Sequence, residues 1–155
     1  MNTLDVGNKA PDFELPSHTG GTISLSGYLG KTVILAFYPE DTSLVCTKEL
    51  CSYNKYLSDF NNLNVQVLGI NTDSIDSHKK FAKKENITFP LLSDEGGKVS
   101  KSYGALYPIV HKCKRGVYII DENGIVRYKY FEITPLTYRK PKELLGKLEK
   151  FKNAA

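Results

Sequence analysis

Cysteine is scarce in this sequence. Three in 155 residues, an odd number, do not make the disulfide framework that holds small secreted domains together. Long apolar runs are missing as well. The longest, Val33-Ile34-Leu35-Ala36-Phe37-Tyr38, is far short of the roughly 20 residues of a membrane-spanning helix. Met1 to Lys9 lack the apolar centre of a secretory signal, and the expectation is a cytoplasmic protein without a membrane. Charge of one sign is not in great excess: 21 basic against 17 acidic residues give +4, spread along the chain. Lys79-Lys80 and Lys83-Lys84 form the one cluster, and they read as a solvated helix face rather than a nucleic-acid stripe. Repeats, low-complexity tracts and dividing linkers are absent too, so a single domain over residues 1–155 is expected.

What is present alternates between two periods. Asp12–Leu15 and Thr22–Leu25 flank Gly20-Gly21, a small hairpin. Lys31–Tyr38 and Val65–Ile70 are near-continuously apolar, as strands covered on both faces would be. Between them a helix is expected from Leu44 to Phe60, with Cys46, Leu50, Tyr53, Leu57 and Phe60 on its inward stripe and Thr42 or Ser43 as its cap. Ile75–Glu85 reads as a lysine-rich surface helix and Glu95–Tyr103 as a shorter one. Asn123-Gly124 joins the strands Gly116–Asp121 and Ile125–Phe131, and Pro141 opens a last helix with Leu144, Leu145, Leu148 and Phe151 inward. Early strands alternating with helices, then a closing hairpin and helix, imply an α/β three-layer sandwich of thioredoxin type: a central mixed sheet with helices on both faces.

Cys46 falls in the first turn of the first long helix, where free N–H groups and the positive dipole end favour an anion. A thiolate is such an anion, and it is the reactive form of cysteine. Cys51 follows five positions later. An intact helix would hold the two Cα atoms roughly 8 to 9 Å apart and facing about 140° away from each other, too far for a disulfide. If the two do bond, the first turns must unravel. Two plainer readings compete. A cysteine on an apolar stripe is commonly just a small core residue. A zinc site could draw on Cys46, Cys51 and Cys113 with His18, His78 or His111, although its ligands would be widely scattered. A disulfide carrier, in contrast, would favour Cys-x-x-Cys, which this chain lacks.

Pro39-Glu40-Asp41-Thr42-Ser43-Leu44-Val45-Cys46 resembles the peroxiredoxin pattern of Pro, three residues, Thr or Ser, two residues, Cys. Phe89-Pro90-Leu91-Leu92-Ser93-Asp94 resembles a second segment of that family. Arg115, six residues before Asp121, resembles its active-site arginine. Cys51 resembles the resolving cysteine of the bacterioferritin comigratory protein or Q-type subgroup. The likeness runs from about Gly7 to the last helix and implies a hydroperoxide reductase without metal or cofactor. On that resemblance Cys46 attacks the peroxide and becomes a sulfenic acid, and Cys51 condenses with it. Thioredoxin or a similar dithiol then reduces the disulfide. Arg115 supplies a fixed cation, Ser43 a hydroxyl, Pro39 a shield against water and Glu49 an orienting partner for Arg115. A monomer or weak homodimer is implied. Ser43 stands where Thr is usual and Leu44-Val45 where Pro-Gly is common, so the loop differs locally from the subgroup. Cys113 reads as a core or loop thiol, with a place near Arg115 that could make it a second resolver. His111 reads as a surface residue, and His18 and His78 as loop and helix-face residues.

Overall fold

The computed structural model describes residues 4–134 and 136–153. Met1–Thr3, part of the N-terminal segment considered above, lie outside the described residues, as do Pro135, Ala154 and Ala155. The elements in order are β1 (Glu14–Pro16), β2 (Thr22–Ser24), β3 (Thr32–Phe37), α1 (Leu44–Lys55), α2 (Leu57–Asn62), β4 (Val65–Asn71), α3 (Ile75–Glu85), β5 (Leu91–Ser93), α4 (Lys98–Ser102), β6 (Gly116–Ile120), β7 (Val126–Phe131) and α5 (Pro141–Asn153).

β3 sits at the middle of a five-stranded sheet of order β5-β4-β3-β6-β7. It pairs in parallel with β4 and antiparallel with β6. Side chains of a strand point alternately to the two faces. Ile34, Ala36 and Tyr38 therefore enter one core, and Val33, Leu35 and Phe37 the other. Because both faces are covered, the strand can be apolar throughout. α1, α2, α3 and α5 cover the first face through Cys46, Leu50, Tyr53, Phe60, Phe81, Leu144 and Leu148. The β1–β2 hairpin, the segment around a 3-10 turn at Ser26–Tyr28 and the segment through α4 cover the second, through Leu15, Leu25 and Tyr103. The expected sandwich is present, although its second outer layer is more hairpin and loop than helix.

Three expectations need correction. The helix expected over 44–60 breaks at Tyr56, whose N–H turns back to the carbonyl of Tyr53 in a tighter, 3-10-like turn. α2 then starts with a new phase, leaving Phe60 buried and Leu57 only partly so. The helix expected from Glu95 begins at Lys98, after Gly97. β5 was not anticipated: three residues behind Pro90 are too short for a periodic signal.

Register places the reactive end of the sheet. Phe37 at the end of β3 faces Gly116 at the start of β6, so Arg115 comes in beside the loop that leaves β3. Gly116 fits closely there, because a Cβ would run into the Phe131 ring. Gly116→Ala is expected to cost about 1–3 kcal/mol by overpacking and to displace Arg115 with it. Urea midpoints check this, and an unchanged midpoint would refute the close fit.

Candidate active site

The loop from Tyr38 to Ser43 turns the chain from the buried strand into α1. Ser43 caps the helix: its Oγ accepts the Cys46 N–H at 3.2 Å, and its carbonyl accepts the Thr47 hydroxyl at 2.8 Å. One of the first-turn N–H groups that a helix leaves unpaired is thus satisfied. Cys46 itself is fully buried, on the sheet-facing side of α1. Pro39 opens the same loop and is half-buried.

Arg115 reaches this thiol from the position just before β6. Its Nη2 donates to Cys46 Sγ at 3.2 Å, and its Nη1 donates to Glu49 Oε1 at 2.6 Å. One turn of α1 puts Glu49 on the same side as Cys46, so a single planar guanidinium spans both. The backbone of Arg115 is held as well, its carbonyl accepting the Glu132 N–H at 2.9 Å. Its Nε–H is buried without a partner among the described residues. An unmet buried donor is costly. A cation fixed against sulfur stabilises a thiolate, and N–H groups not spent on Cys46 or Glu49 can meet charge developing on a bound oxygen.

Glu49 is wholly buried, with the Tyr53 hydroxyl oxygen 3.3 Å from its Oε2. Burial pushes its carboxyl up from 4.5 to about 7, against the opposing pull of Arg115. A raised carboxyl favours the protonated form on folding. Its contribution to stability is therefore full below pH 4.5, declines as pH rises, and is gone above about pH 7. Glu49→Gln is expected to remove that decline. Urea midpoints of both proteins at pH 5 and pH 8 measure it, and parallel slopes would refute the assignment.

Cys51 does not join the group. It lies half-buried on unbroken α1, and burial together with Glu85 pushes its thiol up. Cys113 is on the other side of the sheet. It packs in the second core, donates to Ser100 Oγ at 3.2 Å, and is pushed up to about 12 by burial. Nearness to Arg115 in sequence is cancelled by this change of face, and it separates Cys113 from Cys46 as resolver and as zinc ligand alike. His111 is exposed, as expected. His78 is not a helix-face residue open to solvent. It is completely buried, 2.7 Å from Asp41 and 3.0 Å from the carbonyl of Leu92. The signal was present in the sequence: His78 stands three and four residues before Phe81 and Ala82, on the inward stripe of α3.

The clefts lined by Thr32, Asp121, Arg127 and Phe151, and by Ala10, Leu25, Leu29 and Ile120, lie at the opposite end of β3 from Cys46. Among the described residues no helix is long and apolar enough to cross a membrane.

Comparison with known proteins places the chain in a family. The AhpC/TSA family matches residues 6–129. The chain is 39% identical over 128 residues to the chloroplastic peroxiredoxin Q of Oryza sativa subsp. japonica, covering 82% of this chain and 59% of that protein. It thus spans less than two thirds of the length of such relatives. Among solved structures it is similar to the peroxidoxin BcpB of Mycobacterium tuberculosis, with 30% identity, a TM-score of 0.86, and coverage of 95% of this chain and 97% of the other. It is also similar to the reduced 2-Cys peroxiredoxin of Plasmodium vivax, with 31% identity, a TM-score of 0.89, and coverage of 96% and 82%. The chain belongs to the AhpC/TSA family, the peroxiredoxins, and within it is similar to the Q-type and bcp members.

Proposed function

We propose that this chain is a thiol-dependent peroxidase acting on hydrogen peroxide and organic hydroperoxides. The observation that carries this reading is the buried guanidinium of Arg115, bonded to Cys46 Sγ and Glu49 with Nε–H unspent. The Cys46 thiolate attacks one peroxide oxygen, the O–O bond breaks, and the electron pair leaves on the other oxygen as an alkoxide or hydroxide. That leaving oxygen takes a proton from solvent. Arg115 and the Ser43 hydroxyl are the donors that meet the growing charge. Glu49 orients Arg115, and Pro39 limits water at the sulfur.

Cys46 is then a sulfenic acid. Cys51 attacks it, releasing water and forming an intramolecular disulfide, and thioredoxin or a similar dithiol returns both thiols by exchange. The reading includes a single thioredoxin-like domain, a monomer or weak homodimer, no nucleic-acid or membrane partner, and no metal or cofactor. It also includes a cytoplasmic location, which a few free thiols without a disulfide framework favour.

The test is turnover followed by peptide mapping. With dithiothreitol present, the protein is expected to consume many equivalents of hydroperoxide per molecule. Protein treated with one equivalent should yield the linked Cys46–Cys51 peptide. Consumption no faster than with dithiothreitol alone would end the peroxidase reading. A Cys46–Cys113 link would end only the assignment of the resolver.

A further inference from the structure

The loop that carries Ser43 is tied down by a buried charged network that the chemistry above does not use. Asp41 is 4% exposed. Its Oδ1 accepts the Tyr38 hydroxyl at 2.7 Å and the Asn71 amide at 3.4 Å. Its Oδ2 accepts the Ser77 hydroxyl at 2.6 Å and lies 2.7 Å from His78 Nδ1. Its own N–H donates to Asp73 at 2.7 Å. The other ring nitrogen of His78 lies 3.0 Å from the Leu92 carbonyl. Both ring nitrogens thus face oxygen atoms of other elements. His78 joins three parts of the molecule: α3, which carries it, β5 through Leu92, and the reactive loop through Asp41.

The next residue gives the network a purpose. Thr42 has φ +71, a left-handed conformation that is a real outlier for a β-branched side chain. Such strain lasts only where the surroundings over-determine it. On one side of Thr42 is Asp41, held by five hydrogen bonds. On the other is Ser43, whose oxygens hold the first turn of α1. The anchor at Asp41 therefore fixes where Ser43 and the Cys46 turn begin. Burial alone would push the Asp41 carboxyl up, yet the hydrogen bonds and charge of His78, with those of Ser77 and Tyr38, hold it below its ordinary value.

We propose that His78 is a positioning residue of the peroxide reaction, acting through Asp41 to hold the strained loop and the Ser43 hydroxyl in register with Cys46 and Arg115. This rests on the peroxidase reading. A buried hydrogen-bonded pair that only stabilised the fold would also explain the contacts, and chemistry separates the two. Attack on peroxide needs donors aimed at the leaving oxygen, whereas alkylation of the same thiol by iodoacetamide does not need that arrangement.

The experiment measures both rates at the Cys46 peptide by mass spectrometry, in wild type, His78→Leu and His78→Gln. In His78→Leu the peroxide rate is expected to fall about ten- to a hundredfold, the scale of a small misplacement, while alkylation changes far less. His78→Gln, which keeps a donor toward Asp41, is expected to recover part of the loss. If His78→Leu does not fold, a selective loss of peroxide rate in His78→Gln still decides in favour. Peroxide and alkylation rates that fall together, or a His78 variant that reacts with peroxide at the wild-type rate, overturn the proposal. A wild type no faster with peroxide than a free thiol would instead overturn the peroxidase reading, so the two failures are distinct.

Discussion

Arg115→Met is expected to slow oxidation of Cys46 by hydrogen peroxide by about 10²–10³-fold, the usual loss when a fixed donor to developing charge is removed. Methionine fills much of the space without donating. It removes the Nη2 contact to sulfur, the spare Nε–H, and the partner of Glu49. The fold is expected to tolerate this, because Glu49 already holds its proton up to about pH 7 and can stay neutral when the cation goes. Arg115→Lys is not expected to rescue the rate. A single ammonium lacks the planar fork that lets one side chain reach Cys46 and Glu49 at once. Cys46→Ser sets the floor, with no oxidation at that position. Stopped-flow measurement of the first oxidation, without reductant, isolates the step. An Arg115→Met protein within fivefold of wild type would remove the guanidinium from the mechanism.

How far the sequence revealed this site depends on the kind of signal each residue left. β3 announced itself because a strand covered on both faces must be apolar at every position. Cys46 was visible at a helix start just beyond it, and Ser43 was one of two caps named. The contact of Arg115 with Cys46 was not legible from spacing. It depends on β6 returning antiparallel beside β3, which joins two residues 69 positions apart in sequence, and only the family resemblance pointed to it. Cys113 shows the limit of sequence nearness, since two residues at a strand's edge suffice to carry a side chain into the other core. His78 shows the opposite failure. Its polar character, among lysines, outweighed a position on the buried stripe of α3. The break at Tyr56 left no Gly or Pro to announce it.

Cys51→Ser is expected to leave the first oxidation of Cys46 untouched and to stop turnover with thioredoxin after one equivalent of peroxide. On α1 as it stands, Cys51 is half-buried and its thiol is pushed up by burial and Glu85, so it is a poor nucleophile where it rests. Bonding to Cys46 therefore requires the N-terminal turns of α1 to unravel. The far end of α1 is anchored against the same motion. Asn54 donates to the Asn86 carbonyl at 2.9 Å and accepts from the N–H and hydroxyl of Thr88, at 2.9 and 3.0 Å. Tyr53 donates to the Arg139 carbonyl at 2.7 Å. Unfolding is therefore expected to stop before residue 53. In oxidised wild type, amides from Cys46 to Cys51 should lose hydrogen-exchange protection while Asn54 and Lys55 keep theirs. In oxidised Cys51→Ser the whole of α1 should be recovered intact. With no resolving thiol, excess peroxide should carry its Cys46 on to the sulfinic acid, visible as a mass gain of two oxygens. A Cys51→Ser protein that cycles at the wild-type rate, or equal protection of α1 in reduced and oxidised wild type, would refute the coupling of disulfide formation to this helix. The burial that places Cys46 beside Arg115 holds Cys51 out of its reach, so on the resolving role proposed for Cys51 the same helix is whole for the first step and open for the second.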